Sequence, residues 1–149
     1  MDTGVRKGKA EDREQVLAMA RKFYAKCGYE SHIPYDYDSC SQLFDTCLEM
    51  GLCSVAEVDG KLVGFVIGIS SPFLMNQDYR IGAEIAWWVE PEYRGIGLKL
   101  LRHIEDLASE QGLKMWSMMA LESMEADRVS EIYLKSGYEP TERSFTRYH

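Results

Sequence analysis

The sequence predicts a single α+β domain in which helices cover the faces of one sheet. Three observations indicate this fold class. The length of 149 residues suits one domain, the spacing of hydrophobic residues switches between helical and strand periods, and no linker or repeat interrupts the chain. We therefore treat residues 1–149 as one folded unit.

The first half of the chain predicts a strand, two helices and a hairpin. Val5–Lys7 is a short strand, and amphipathic spacing predicts helices over Glu11–Cys27 and from about Ser39 to Gly51. The segment CSVAEVDGKLVGFVIGIS then places two apolar runs around Asp59-Gly60, a typical hairpin turn.

The second half alternates strands and helices. A loop with Pro72 leads to a strand at Ala83–Val89, which Pro91 ends because proline cannot donate to a sheet ladder. The remaining predicted elements are a helix at Leu98–Gln111, a strand at 113–121, a helix from about Met124 to Ser136, and one or two short strands after Tyr138.

Charge and hydropathy limit the partners and the location that we expect. Seventeen Lys+Arg against 24 Asp+Glu give a net charge of −7, which disfavours nucleic acid and is compatible with a cationic substrate. No apolar run reaches the ~20 residues of a membrane span, and the N-terminus has no apolar signal core. We expect a cytoplasmic protein that binds no membrane.

The four cysteines form no C-x-x-C pair, so we expect buried thiols rather than a metal site or a disulfide.

The most informative segment is residues 83–112, where a strand runs into a glycine turn that opens onto a helix. Such a turn directs free backbone N–H groups and the positive end of the helix dipole toward one point. Gly95 and Gly97 remove the Cβ atoms that would obstruct an anion, and Arg94 adds a positive charge. These features predict a phosphate or pyrophosphate site, although a plain strand–turn–helix would have the same sequence. P-loop and Rossmann patterns are absent.

Two motifs resemble the GCN5-related N-acetyltransferases (GNAT family). WVEPEYRGIG before an amphipathic helix is similar to their acetyl-CoA-binding motif, and IYLKSGYEP (132–140) is similar to their second signature. The resemblance implies a GNAT-like (acyl-CoA N-acyltransferase) fold, with a mixed, mostly antiparallel sheet and about four helices on its faces. The chain departs from the pattern in a glycine loop about two residues shorter than usual, and in Ala126 where the second signature often has Asn. The loop pattern can begin at Arg94, which places Lys99 where Gly or Ala is usual, or at Glu92, which ends on Gly95 and Gly97 but begins with an acid.

The resemblance implies acetyl transfer from acetyl-CoA to a small-molecule amine or a protein amino group, without a metal. It places the oxyanion donor on a backbone N–H near Trp88 or Val89. Lys99 either neutralises phosphate charge or is a solvated lysine. The residues implied to bind acetyl-CoA are Trp88, Val89, Arg94, Gly95, Ile96, Gly97, Leu98 and Lys99.

Two residues are candidates for proton transfer. Tyr133 matches the family position that protonates the CoA sulfur, and its alternative role is packing on the sheet. Glu84 is the candidate base, because a glutamate on an apolar strand has a raised pKa. It could instead be a structural carboxylate or act through water. Strand alternation predicts Ile85 and Trp87 on one face, and Glu84, Ala86 and Trp88 on the other.

The acceptor site is predicted in SHIPYDYDSC, between the first two helices. Tyr35, Asp36 and Asp38 could hold a cationic amine through charge and aromatic contact, or could be solvated loop residues. The alternatives to an enzyme are a catalytically silent CoA-binding module with the same fold and an interaction protein that keeps only the fold. The sequence leaves the oligomeric state open, a homodimer included.

Overall fold

A five-stranded sheet forms the centre of the computed structural model, which describes residues 3–149. Its strands, in chain order and also in spatial order, are β1 (Thr3–Lys7), β2 (Cys53–Val58), β3 (Lys61–Phe73), β4 (Asn76–Val89) and β5 (Met115–Ser117). The first four strands pair antiparallel, and β5 is parallel to β4. The sheet is therefore mixed and mostly antiparallel, as predicted.

Four α-helices cover the sheet within the described chain. They are α1 (Arg13–Lys26), α2 (Tyr37–Glu49), α3 (Gly97–Glu110) and α4 (Ala126–Lys135). Short 3₁₀ turns at Ala10–Asp12 and Pro91–Ile96 lead directly into α1 and α3. The predicted helices are all present. The second begins two residues earlier than expected, because the Asp36 carboxylate accepts the Ser39 N–H at 2.9 Å and caps its first turn.

Both faces of the sheet are buried, which explains the nearly continuous apolar runs of β2 and β3. On one face, Val55 and Phe65 pack in a cluster with Val16 of α1 and Phe44 of α2. The second cluster, on the other face, is built around α3 and contains the residues Ala56, Val66, Leu100 and Ile104. The chemistry of the site develops on the side of α1 and α2.

The long hairpin of β3 and β4 corrects the prediction of a loop at Pro72. β3 continues to Phe73, and Pro72 pairs with Arg80. β2 pairs with β3 only as far as Ile67, so Pro72 lies where β3 is an edge strand. Proline is tolerated there because no second neighbour requires its missing N–H.

The last predicted strands are shorter than expected or absent. β5 covers only 115–117 of the predicted 113–121, and residues 138–149, all of them described, form no strand. The tail buries little apolar surface, since Phe145 is 92% exposed. The ring of Tyr148 stacks on His32 with centroids 3.6 Å apart.

Trp116 of β5 lies flat across two glycines of the neighbouring strands. A Cβ at Gly68 would lie 2.3 Å from the Trp116 ring and 2.6 Å from the Ala83 carbonyl oxygen, and a Cβ at Gly82 would lie 3.0 Å from the same ring. These positions therefore need glycine so that the indole can close the end of the sheet beside the site.

Candidate functional site

Strands β4 and β5 separate partway along their length. Their parallel pairing runs only from Ile81 with Met115 to Ala83 with Ser117. Beyond Ala83, β4 continues to Val89 without β5 beside it. The gap between them leaves one edge of β4 free for backbone contacts with a bound molecule.

A β-bulge in β4 lies at the start of this gap. Ile67 pairs with Ala86 and Gly68 pairs with Glu84, which leaves Ile85 as an extra residue. A bulge bends its strand and increases the local twist. The bulge therefore accompanies the departure of β4 from β5.

The bulge also corrects the predicted faces of β4. Ala86 and Trp88 belong to the cluster under α1 and α2, and Trp87 packs on the α3 side, as alternation predicts. Ile85, however, packs with the cluster of Ala86 and Trp88 rather than beside Trp87. One extra residue breaks the two-residue period, and the sequence carries no signal for it.

Glu84 is a buried carboxylate at the gap. Its side chain accepts the backbone N–H of Met119 at 2.8 Å, and the residue is 5% exposed. Burial raises the pKa of Glu84 from 4.5 to about 7, against the opposing effect of the hydrogen bond from the Met119 N–H and of the nearby Tyr133 hydroxyl. A carboxylate with this pKa is half ionised near neutrality, which suits it to exchange protons there.

Tyr133 of α4 reaches the same point from the opposite side of the gap. Its hydroxyl donates to the Met119 carbonyl oxygen at 2.7 Å, and the residue is 7% exposed. Burial, and next the negative charge of Glu84, raise its pKa well above the ordinary value of 10. The phenol therefore keeps its proton over the physiological pH range. The structure brings together the two residues that the sequence analysis named for proton transfer.

The backbone of Met119 connects these two side chains, and sequence reasoning missed it. Its N–H binds Glu84 and its carbonyl binds Tyr133, so this one peptide segment fixes both groups across the gap. No sequence signal would identify such a residue, because a backbone contact does not depend on side-chain type.

A cavity of about 430 Å³ opens beside these groups. It lies between α1, α2, β4 and α4, and Glu84 and Tyr133 are part of its wall. Most of its wall is aliphatic or aromatic, with Leu17, Phe23 and Leu43 as examples. A volume of this size falls within the range of small-molecule sites.

The glycine segment is a tight turn rather than an open loop. The 3₁₀ turn Pro91–Ile96 runs straight into α3 at Gly97, which agrees with the shorter spacing seen in the sequence. Ile96 stands at the N-cap of α3, where it provides no side-chain cap, and the first turn of α3 has no acidic residue. No carboxylate of the first turn of α3 therefore offsets the positive field of this helix end, although the Gly97 N–H already donates to the Arg94 carbonyl.

Gly95 has open space around it. A Cβ at Gly95 would meet no described atom within 4 Å, so internal packing does not require glycine there. At Gly97, which is buried, a Cβ would lie 3.4 Å from the Trp87 ring, an ordinary contact. Open space in front of an uncapped helix end is the arrangement that phosphate groups use.

Charged side chains surround this turn. Arg94 Nη1 lies 3.4 Å from Glu125 Oε2, which also pairs with Arg128 at 3.2 Å. Leu98 and Lys99 are exposed on the first turn of α3. Two arginines thus share one carboxylate beside the helix end.

The backbone N–H groups of Trp88 and Val89 point to opposite sides of β4. The Glu90 N–H donates to the Val63 carbonyl of β3 at 2.7 Å. N–H groups alternate between the two sides of a strand, so the Trp88 N–H also faces β3 and the Val89 N–H faces the gap.

The residues predicted for the acceptor lie outside the cavity wall. Asp36 is exposed and binds both the N–H and the hydroxyl of Ser39, and Asp38 is exposed on the first turn of α2. Tyr35 lies under the Arg21 guanidinium, 5.0 Å from it, in a shallower depression.

The cysteines are all free thiols; Cys27, Cys47 and Cys53 are buried as predicted, whereas Cys40 is only half-buried. Within residues 3–149, no group of three His, Cys, Asp or Glu side chains is placed to hold a metal ion. Over the same range, no helix has the length and apolar character required to cross a bilayer.

Comparisons with known proteins agree on one fold. The sequence profile of the acetyltransferase (GNAT) family matches residues 17–138. No curated protein matches the sequence. Among solved structures, the ribosomal-protein-alanine N-acetyltransferase of Brucella melitensis biovar Abortus 2308 is 19% identical, with 100% of each chain covered and a TM-score of 0.75.

Two further structures contain CoA or an analogue. A predicted acetyltransferase of Clostridium acetobutylicum, solved with acetyl-CoA, is 18% identical over 98% of this chain and 96% of that one, with a TM-score of 0.76. The aminoglycoside N-acetyltransferase AAC(6')-Iy, solved with a bisubstrate analogue, is 14% identical over 100% and 99% of the two chains, with a TM-score of 0.76.

Proposed function

The chain belongs to the acetyltransferase (GNAT) family, and on this premise we propose that it transfers the acetyl group of acetyl-CoA to a primary amine by direct attack on the thioester. One observation carries the proposal. A buried carboxylate with a pKa of about 7 and a protonated tyrosine face each other across the gap between β4 and β5.

Acetyl-CoA binds along the gap and the glycine turn. The pyrophosphate lies at the N-terminal end of α3, next to Gly95, where the uncapped helix end and Arg94 supply positive charge. Lys99, exposed on the same turn, adds a second cation. The amide groups of the pantetheine arm use the free edge of β4. Solved relatives of this fold that hold acetyl-CoA or CoA support the choice of donor.

Glu84 removes a proton from the substrate ammonium, either directly or through a water molecule. A primary ammonium has a pKa of about 10.4, so the free amine is scarce at neutral pH without a base. Ionised Glu84 attracts the ammonium and accepts its proton. The amine lone pair then attacks the carbonyl carbon of the thioester.

The oxyanion and the leaving group each need a donor. The Val89 N–H faces the gap and stabilises the negative oxygen that forms on attack. When the carbon–sulfur bond breaks, the Tyr133 hydroxyl gives its proton to the CoA thiolate, and the second ammonium proton restores the phenol. The sum is an N-acetyl amine, free CoA and one proton, which leaves from Glu84.

The amine acceptor is a small molecule or a protein amino group. The names of the solved relatives include both kinds, a ribosomal-protein alanine and an aminoglycoside. The Tyr35–Asp38 segment, half-buried at Tyr35 and exposed at Asp36 and Asp38, is proposed to attract cationic amines to the entrance rather than to hold them during the reaction.

Two measurements on the purified chain test the proposal. Acetyl-CoA should raise the melting temperature, since a ligand that binds only the folded protein stabilises it. Thiol release from acetyl-CoA should then depend on an added amine, in a panel of alkylamines, polyamines, aminoglycosides and peptides. Stabilisation without amine-dependent release would indicate a silent CoA-binding module, and no stabilisation would contradict the assignment of the donor.

A further inference from the structure

We propose that the acceptor is a primary amine on an apolar body, aromatic or alkyl, which binds in the cavity between α1, α2 and α4 and presents its ammonium to Glu84. This inference rests on the proposed acetyl transfer and specifies its substrate class. It differs from the polar sugar and peptide acceptors that the names of solved relatives suggest.

The cavity has one charged group and many apolar ones. Among the described residues of its wall, Glu84 alone carries a carboxylate and none carries a cation. Helix α1 contributes Leu17, Ala20 and Phe23, and helix α4 contributes Val129. Such a wall stabilises a hydrocarbon body by removing it from water, and one carboxylate complements one ammonium.

Two hydroxyls of the wall are already engaged inside the protein, whereas the buried Trp87 indole N–H, which can only donate, has no partner among the described residues. Tyr24 donates its hydroxyl to the Ile33 carbonyl at 2.5 Å, and Tyr133 donates to Met119 at 2.7 Å. A sugar hydroxyl or a peptide group that entered would lose its water partners and find few replacements. Burial of unpaired polar groups is unfavourable, so the wall selects against such acceptors.

The nearby acidic groups lie outside the cavity wall. Asp36 is engaged at the N-terminus of α2, and Glu30 pairs with Arg21 at 2.5 Å outside the cavity wall. An aminoglycoside or a polyamine carries several ammonium groups, and the cavity offers a partner to only one. The cavity therefore suits an amine with a single ammonium group.

The first experiment measures kcat/KM at saturating acetyl-CoA for n-alkylamines from ethylamine to hexylamine and for 2-phenylethylamine. Spermidine, kanamycin and a short peptide with a free N-terminus are the polar comparisons. We expect kcat/KM to rise about fourfold for each added methylene, the effect of burying one CH₂ group. A parallel series of acetyl-, hexanoyl- and octanoyl-CoA determines whether the donor chain, rather than the amine, uses the apolar space.

A pair of substitutions on α1 tests the location. Ala20 is half-buried in the cavity wall, and Ala18 is exposed on the same helix. Ala20→Leu should lower kcat/KM for 2-phenylethylamine about tenfold and leave ethylamine unchanged, because a larger wall residue excludes only the longer body. Ala18→Leu should change neither. Melting with and without acetyl-CoA checks that both variants fold, and if Ala20→Leu does not fold, the alkylamine series on the unaltered chain decides.

Three results would overturn the inference. If the polar amines are the better substrates, the apolar acceptor is wrong and acetyl transfer stands. If octanoyl-CoA is preferred while amine length has no effect, the cavity holds the donor chain. If no amine is consumed although acetyl-CoA stabilises the protein, the proposed function itself fails and the inference fails with it.

Discussion

Burial of Glu84 makes the stability of this protein depend on pH in a predictable direction. Its pKa is about 7 in the fold and near 4.5 as an ordinary glutamate. Between these values the folded protein binds more protons than the unfolded chain, so stability falls as pH rises through this window. The difference corresponds to about 3 kcal/mol of unfavourable burial once the carboxylate is ionised.

Glu84→Gln should remove this dependence. Glutamine cannot ionise, yet its side-chain oxygen can still accept the Met119 N–H. The unaltered chain should lose stability as the pH rises, and the variant should not. The difference in free energy of unfolding, Glu84→Gln minus the unaltered chain, should therefore rise by about 3 kcal/mol between pH 4.5 and pH 8. Urea unfolding at intervals across this range measures it, with Glu142→Gln in the exposed tail as the matched control. A difference that stays constant with pH would refute the assignment of a raised pKa to Glu84.

The same substitution should change the pH dependence of the reaction. If Glu84 is the base, kcat/KM of the unaltered chain rises with pH through about 7, and Glu84→Gln loses that rise. The Tyr133 and Tyr138 hydroxyls near it stay protonated there, because burial raises the pKa of both. Turnover should fall about 10²–10⁴-fold at neutral pH and recover in part at high pH, where free amine forms unaided. An unchanged profile would place the base elsewhere, for example on a bound water.

Three further substitutions have defined outcomes. Tyr133→Phe should lower kcat with little change in the KM for acetyl-CoA, because the ring still packs; full activity at every pH would assign the residue to packing alone. Gly95→Asp should abolish the rise in melting temperature that acetyl-CoA causes, and Gly95→Ala should reduce that rise less, because only the acid adds negative charge at the helix end. An undiminished rise with Gly95→Asp would mean that acetyl-CoA does not bind at this turn. Gly68→Ala should lower the free energy of unfolding by about 1–3 kcal/mol, because its Cβ would clash with the Trp116 ring. Gly4→Ala is the control and should change this free energy little, because no described atom lies within 4 Å of its Cβ. Equal effects of the two variants in urea unfolding would contradict the close packing of Trp116 on Gly68.

Most elements of the fold could be predicted from local sequence patterns. The hairpin at Asp59-Gly60 follows from turn chemistry, and β4 ends before Pro91 because proline cannot donate to the ladder. The loop predicted at Pro72 was wrong for a non-local reason. Proline is compatible with β3 there because the pairing of β2 with β3 stops at Cys53 and Ile67, and no pattern near Pro72 records where another strand stops pairing.

The site was predictable in its side chains and less so in its geometry. A glutamate on an apolar strand and a tyrosine in a family motif identified Glu84 and Tyr133, and the structure brings them to the same backbone segment. Two determinants of that geometry, the bulge at Ile85 and the peptide groups of Met119, depend on strand register and backbone position. These arise from the pairing of distant segments, so single-sequence reasoning could not reach them.

The prediction for the acceptor illustrates the same limit. Asp36 and Asp38 are acids in the expected segment, yet the chain uses Asp36 to cap α2 and leaves Asp38 exposed. The cavity wall instead consists of side chains from α1, α2, β3, β4 and α4 and from the segments that connect them. Apart from Glu84 and Tyr133, these side chains have the sequence pattern of ordinary core, and only their assembly around the cavity gives them a common role.

The central claim is that an acetyl group moves from CoA to an amine. Its most direct test is to incubate the full chain with acetyl-CoA carrying a ¹³C-labelled acetyl group and a panel of alkyl, aromatic, polyamine, aminoglycoside and peptide amines, then follow each amine by mass spectrometry and the free thiol by absorbance. The account predicts labelled N-acetyl amine and free CoA in equal amounts, both dependent on the protein. Thiol release without labelled amine would mean hydrolysis of the thioester, and would contradict it.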